Sequence, residues 1–137
     1  MSSSLISISL STRSFSQIYR QSEMLCSQKS KMVSITALHS PTGTVISRET
    51  LDQFVTLTKD RDCLLLVDET YRDITYSTPF LIAATLGDHV ISVCSLSNLH
   101  GPPGIRIGWL VTKSSGLQET FLAAKEQTSV SGSVLDE

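Results

Sequence analysis

Residues 63–71 read CLLLVDETY, five apolar residues from Cys63 to Val67 followed by Asp68, Glu69, Thr70 and Tyr71. An apolar run this short, with no polar alternation, is expected of a strand covered on both faces. The change to acids marks the strand's carboxyl end. In open α/β sheets ligands gather beyond that end, because loops and helix N-termini converge there.

The same pattern recurs on either side. Upstream, Val33 to Leu38 predicts a short strand, and HSPTGT follows as a turn in which Pro41 fixes its own backbone and Gly43 tolerates positive φ. Ser47 is placed to cap a helix, with Glu49 in the first turn where the helix dipole favours an acid, and Leu51, Phe54, Val55 and Thr58 follow at helical spacing. Downstream, Phe80 to Leu86 predicts a short helix and Val90 to Cys94 a second buried strand running into SLSN. Ile105 to Thr112 predicts a further strand, and Leu117 to Thr128 a helix. Three polar clusters, HSPTG, DETY and SLSN, each follow a strand. Together they point to a cleft.

Strands alternating with helices imply an α/β domain, a three-layer arrangement around a mainly parallel sheet, with room for an antiparallel pair at the last two strands. No internal repeat interrupts the chain. Its 137 residues suffice for one domain, and 40% hydrophobic against 18% charged residues is a folding composition. A net charge of -2 sets up no field that would collect nucleic acid. No apolar run approaches the roughly 20 residues of a membrane helix. Cys26, Cys63 and Cys94 are odd in number and lack a C-x-x-C pair, which argues against a disulfide framework and fits a reducing, cytoplasmic compartment. No two of these cysteines and His39, His89 and His100 stand at a short metal-ligand spacing, so no metal site is expected.

Residues 1–32 differ in character from the remainder of the chain. They are crowded with serine, carry Arg13, Arg20, Lys29 and Lys31, and have Glu23 as their sole acid. That composition is expected of a disordered leader, with residues 33–137 forming the domain. Organelle import is one reading of such a leader; an extension without a targeting role is the other, favoured by the irregular spacing of Leu5, Ile6, Ile8 and Leu10.

In order and spacing, S-P-T-G at Ser40–Gly43, D-E-T-Y at Asp68–Tyr71, S-L-S-N at Ser95–Asn98 and G-I-R-I-G-W at Gly104–Trp109 resemble the signatures of class I and II aminotransferases. These usually read N-P-T-G, D-E-x-Y, S-x-S-K and G-x-R-x-G-W. The resemblance covers residues 33 to 135 and implies part of the large domain of a fold-type-I, pyridoxal-phosphate-dependent transferase. It implies that Asp68 pairs with the pyridine nitrogen of the cofactor, keeping the ring an electron sink. Tyr71 would lie near the cofactor's phenolic oxygen, and Ser95, Ser97 and Arg106 would hold its phosphate, hydroxyls and a guanidinium fork being suited to phosphate oxygens. Gly101, Pro102, Pro103 and Gly104 would shape the loop leading to Arg106, and Trp109 would pack beyond it.

Two departures bear on function. Asn98 stands where the family has its Schiff-base lysine, and an amide nitrogen has no usable lone pair for joining an aldehyde. The same lysine moves the proton in turnover, so no catalytic residue is assigned and cofactor binding is expected to be weak or lost. Ser40 replaces the asparagine of N-P-T-G, a shorter group for the phenolic oxygen. The family also carries a longer segment ahead of the first strand and a C-terminal domain, so the chain is expected to be a truncated, catalytically impaired aminotransferase-like protein. Amino and keto acids are the substrates the resemblance implies. The alternative is a non-enzymatic module, or a gene remnant, pairing with itself or with a full-length relative.

Overall fold

The computed structural model describes residues 4–7, 19–20, 30–74, 82–96 and 107–128. Five strands form one sheet in sequence order: β1 (Ser4–Ser7), β2 (Ser30–Thr36), β3 (Leu64–Asp68), β4 (Val90–Ser95) and β5 (Gly108–Thr112). The first three pairings are parallel and the last, β4 with β5, is antiparallel. Helix α1 (Arg48–Asp60) crosses from β2 to β3, and α2 (Ser115–Thr128) follows β5. The domain is therefore a partial α/β unit with a mainly parallel sheet.

Local sequence accounts for α1. Ser47 Oγ accepts from the Thr50 amide at 3.2 Å, satisfying one of the donors a helix start leaves open. Its apolar stripe, Leu51, Phe54 and Leu57 with Thr58, is buried, and the Thr58 hydroxyl donates to the Phe54 carbonyl at 2.8 Å rather than entering the core unpaired. The helix closes with Cys63 N donating to Thr58 O at 2.9 Å, while Asp62 sits at φ 51°, a left-handed position that short polar side chains tolerate.

Register determines which side chains face α1. Val33 lies opposite Leu65, which lies opposite Val90; one step further, Ile35, Val67 and Ser92 align. Val33, Ile35, Leu65 and Val67 share one face and pack with Leu51 and Phe54 in the core. The Cys63 thiol donates to the Ser30 carbonyl at 2.9 Å, joining the starts of β2 and β3. His89 Nε2 lies 3.0 Å from the Val55 carbonyl and ties α1 to the start of β4.

Three features differ from the sequence reading. Ser4–Ser7, within the expected leader, forms β1 against Ser30–Ser34, and β2 begins at Ser30 rather than Val33. The reason is backbone pairing: β2 has β3 on one side, and a short segment containing Leu5 and Ile6 completes its other side. Second, the helix expected over Phe80–Leu86 is a single 3₁₀ turn at Ala83–Leu86, residues 75–81 lying outside the described set. Third, Trp109 is 46% exposed on β5 instead of packed away.

Candidate cofactor site

The carboxyl ends of β2, β3 and β4 lie side by side, with Thr36 opposite Asp68 and Asp68 opposite Val93. Each of the three polar clusters begins at one of these ends. After β2 the chain folds back on itself: Ile46 N donates to Ala37 O at 2.9 Å, His39 N to Thr44 O at 3.0 Å and Gly43 N to His39 O at 2.8 Å, Gly43 adopting φ 68°. Buried His39 fixes the turn from within, its Nδ1 lying 3.0 Å from Thr42 Oγ1. Ser40 is thereby held at the exposed tip.

Asp68 is the last residue of β3 and is half-buried. Its carbonyl accepts from Ala37 N at 2.9 Å, and its Oδ1 accepts from Thr70 N at 2.9 Å. The carboxylate is thus turned by its own following turn, a local geometry that Asp readily forms. Half-buried Tyr71 follows, and a cavity of about 210 Å³ is lined by Tyr71, Ile74 and the β2 turn residues Leu38, His39, Ser40 and Pro41. Ser95 ends β4, opposite Gly108. Of the predicted site residues, Ser40 and Tyr71 line one cavity, and Asp68 and Ser95 stand at adjoining strand ends. Ser97, Asn98 and Arg106 lie outside the described residues. A larger cavity of about 390 Å³ sits at the opposite ends of the strands, beside Lys59, Cys63 and His89, and takes in none of the three clusters.

Two residues of the signatures have structural roles that the sequence reading missed. Gly108 passes so close to β4 that an added Cβ would lie 2.8 Å from the Cys94 carbonyl oxygen, a backbone atom that cannot swing aside. This explains the second glycine of G-x-R-x-G-W. Glu69 is 5% exposed, and its Oε1 accepts from Ala83 N at 2.8 Å. Burial raises its carboxyl above the ordinary range, only partly opposed by the Ala83 amide and the Arg72 guanidinium. Burial likewise pushes the Cys94 thiol up. Among the described residues no group of three His, Cys, Asp or Glu side chains is placed to hold a metal, and no helix is long and apolar enough to cross a membrane.

The family model for aminotransferase class I and II matches residues 11–134. The chain belongs to this family. Among curated relatives, the chain is 40% identical over 72 residues to the probable N-acetyl-LL-diaminopimelate aminotransferase of Bacillus subtilis, covering 52% of the chain and 18% of that relative. It is 30% identical over 104 residues to the aspartate aminotransferase of Thermotoga maritima, covering 74% and 28% respectively. Among solved structures, a PLP-dependent aminotransferase from Streptococcus suis superposes with a TM-score of 0.73 at 28% identity, covering 85% of the chain and 31% of that protein. Bna3p, a putative kynurenine aminotransferase from Saccharomyces cerevisiae, superposes with a TM-score of 0.72 at 26% identity, covering 80% and 27%. The chain therefore spans less than a third of the length of each of these proteins.

Proposed function

We propose that this chain is an aminotransferase-type domain that holds pyridoxal phosphate without covalent attachment and does not complete transamination by the family's usual route. The observation that carries this reading is the meeting of Ser40 and Tyr71 in one cavity beside the Asp68 strand end, together with asparagine at position 98. The donor set fits the cofactor's ring. A half-buried carboxylate suits a protonated pyridine nitrogen, and two hydroxyl-bearing residues suit a phenolate oxygen. Ser95, Ser97 and Arg106 are the proposed phosphate group. When bound, pyridoxal phosphate supplies an electron-withdrawing ring for bond changes at the α-carbon of an amino acid.

Under this reading each residue has a bounded task. Asp68 holds a proton on its partner by charge, its Oδ1 being oriented by the Thr70 amide. Ser40 and Tyr71 orient and donate. Asn98 donates or accepts hydrogen bonds but offers no amine and no base near neutral pH, so the proton transfer that lysine performs has no agent at that position. Amino and keto acids are the proposed ancestral substrates, and the cytoplasm, or an organelle reached through the leader, the proposed location.

The test is to incubate the purified chain with pyridoxal phosphate, record the absorbance spectrum, reduce with borohydride and weigh the product. A saturable spectral change lost in Asp68→Ala, with no stoichiometric adduct, is the expected result. A single adduct on one lysine would refute the non-covalent reading, and no difference between the chain and Asp68→Ala would refute binding. A second reading is favoured by the exposure of Trp109, Leu110 and Val111 on β5, whose outer edge pairs with no strand among the described residues. Such an edge is a template for strand addition, and on this reading the domain pairs with a second copy or a full-length relative. Sedimentation of a monomer, with no co-purification of an intact relative, would refute it.

A further inference from the structure

Asp68 and Glu69 are adjacent acids with opposite surroundings. Along a strand successive side chains alternate faces. Asp68 aligns with Thr36 and Val93, whereas Glu69 continues the row of Val67 and Ser92 on the face that α1 covers. We infer that Glu69 is the positioning residue of this site, its carboxylate fastening the Asp68–Tyr71 turn to the Ala83–Leu86 turn and so setting where Asp68 and Tyr71 face. What those two residues hold rests on the proposed function; the fastening itself does not.

The Ala83–Leu86 turn begins without a side-chain cap from its own N-cap, Ile82. Its first two amides find acceptors elsewhere in the sheet: Ala83 N donates to Glu69 Oε1 at 2.8 Å and Ala84 N to Ser92 Oγ at 2.9 Å. The Ser92 hydroxyl also favours the charged form of the Glu69 carboxyl, and Arg72 Nη1 stands 3.9 Å from Glu69 Oε2. The Glu69 main chain is held as well, its amide donating to Val93 O at 2.8 Å and its carbonyl accepting from Arg72 N at 2.9 Å. The Cys94 thiol points at the same carbonyl from 3.8 Å. One residue thus joins the β3 end to β4 and to a turn fourteen positions along the chain. Two residues beyond it lies Tyr71, and one before it Asp68.

A carboxylate serving only as core filling would be poorly suited to this place, since burying it unpaired is costly. Its value is directional: removing it leaves the Ala83 amide without its acceptor and the Asp68–Tyr71 turn tied to the sheet by its main-chain bonds alone. The charged or titratable groups around it are Arg72 and Asp73 from its own turn, Cys94 from β4, and Asp68.

The test is amide hydrogen exchange by NMR on the full chain without cofactor, comparing Thr70, whose amide binds Asp68 Oδ1, with Ala83. In Glu69→Ala we expect protection to fall about tenfold at both amides, the scale of one lost hydrogen bond. Glu69→Gln keeps an acceptor oxygen and is expected to restore both. Loss at Ala83 with Thr70 unchanged overturns the proposal, as does failure of Glu69→Gln to rescue either amide. Should Glu69→Ala not fold, Ala83→Pro removes the same bond from the donor side, because proline is tolerated in a first turn and Ile82, at ψ 126°, already has the extended backbone that precedes it. Unchanged Thr70 protection there overturns the proposal too. A chain with intact amide behaviour but no pyridoxal phosphate binding would refute the proposed function and leave the role of Glu69 standing.

Discussion

Replacing Phe54 by alanine tests whether α1 is anchored to the sheet through this ring. Phe54 is fully buried, facing Val33, Leu65 and Val67, and its ring meets Tyr19 edge-on at 5.8 Å and 74°. A buried aromatic removes about 150–250 Å² from water, which at about 25 cal/mol/Å² is roughly 4–6 kcal/mol before subtracting what alanine keeps. Measured Phe→Ala changes in cores lie at about 3–5 kcal/mol. We therefore expect a loss of about 4 kcal/mol, a large share of the roughly 5–15 kcal/mol typical of a domain. With a urea slope of about 2 kcal/mol per molar, the midpoint should drop by about 2 M. Urea unfolding followed by circular dichroism measures this directly. Phe54→Leu, which retains most of the volume, should lose less than half as much. A midpoint shift under about 0.5 M for Phe54→Ala would mean that α1 is not packed against the sheet through this ring.

Other perturbations test separate parts of the same frame. Ser47→Ala removes the acceptor of the Thr50 amide and should destabilise by about 1 kcal/mol in the same urea assay, with Ser47→Asp restoring most of it. Gly108→Ala forces a methyl to 2.8 Å from the Cys94 carbonyl and should cost about 1–3 kcal/mol, read as faster amide exchange across the β4–β5 pair. Burial holds the Glu69 carboxyl above its ordinary value, so the native state binds more protons than the unfolded state and stability falls as pH rises from the ordinary carboxylate range through the folded-state value. Chemical denaturation at a series of pH values should show that fall, and Glu69→Gln should flatten it. Asn98→Lys should yield one borohydride-stable adduct per chain with pyridoxal phosphate where the unaltered chain yields none, checked by mass spectrometry.

Much of this fold was legible because period and composition act locally. CLLLV reads as a strand covered on both faces and does form β3, although Leu65 and Val67 are buried while Leu64 and Leu66 on the other face are only half-buried, and Ser47 with its helical stripe marks α1. The register that brings Thr36, Asp68 and Val93 together is a long-range property, and it could be inferred only from the signature motifs and the rule about strand ends. What stayed hidden depended on partners distant in sequence. Nothing near Ser4 says that it pairs with Ser30, and a serine-rich stretch reads as a leader because its composition outweighs four residues of strand. Glu69 was overlooked for the same reason. Beside Asp68 it reads as half of an acidic pair, and its true setting is visible only when Ala83 and Ser92 arrive from elsewhere in the chain. Trp109 misled in the opposite direction, its apolar ring suggesting burial although it lies exposed on an edge strand.

The signature positions can be weighed by what each one does. Gly108 cannot gain a side chain without meeting backbone, and Glu69 accepts from the first amide of a turn whose own N-cap supplies no side-chain bond; both are demanded by the fold. The lysine position is different in kind. Under the proposed reading an amine there would serve the reaction, whereas the asparagine side chain offers none. On the proposed reading, change at position 98 removes that amine, and none of the bonds described for the strand ends and the Asp68 carboxylate involves it. That separation is what the non-covalent reading requires.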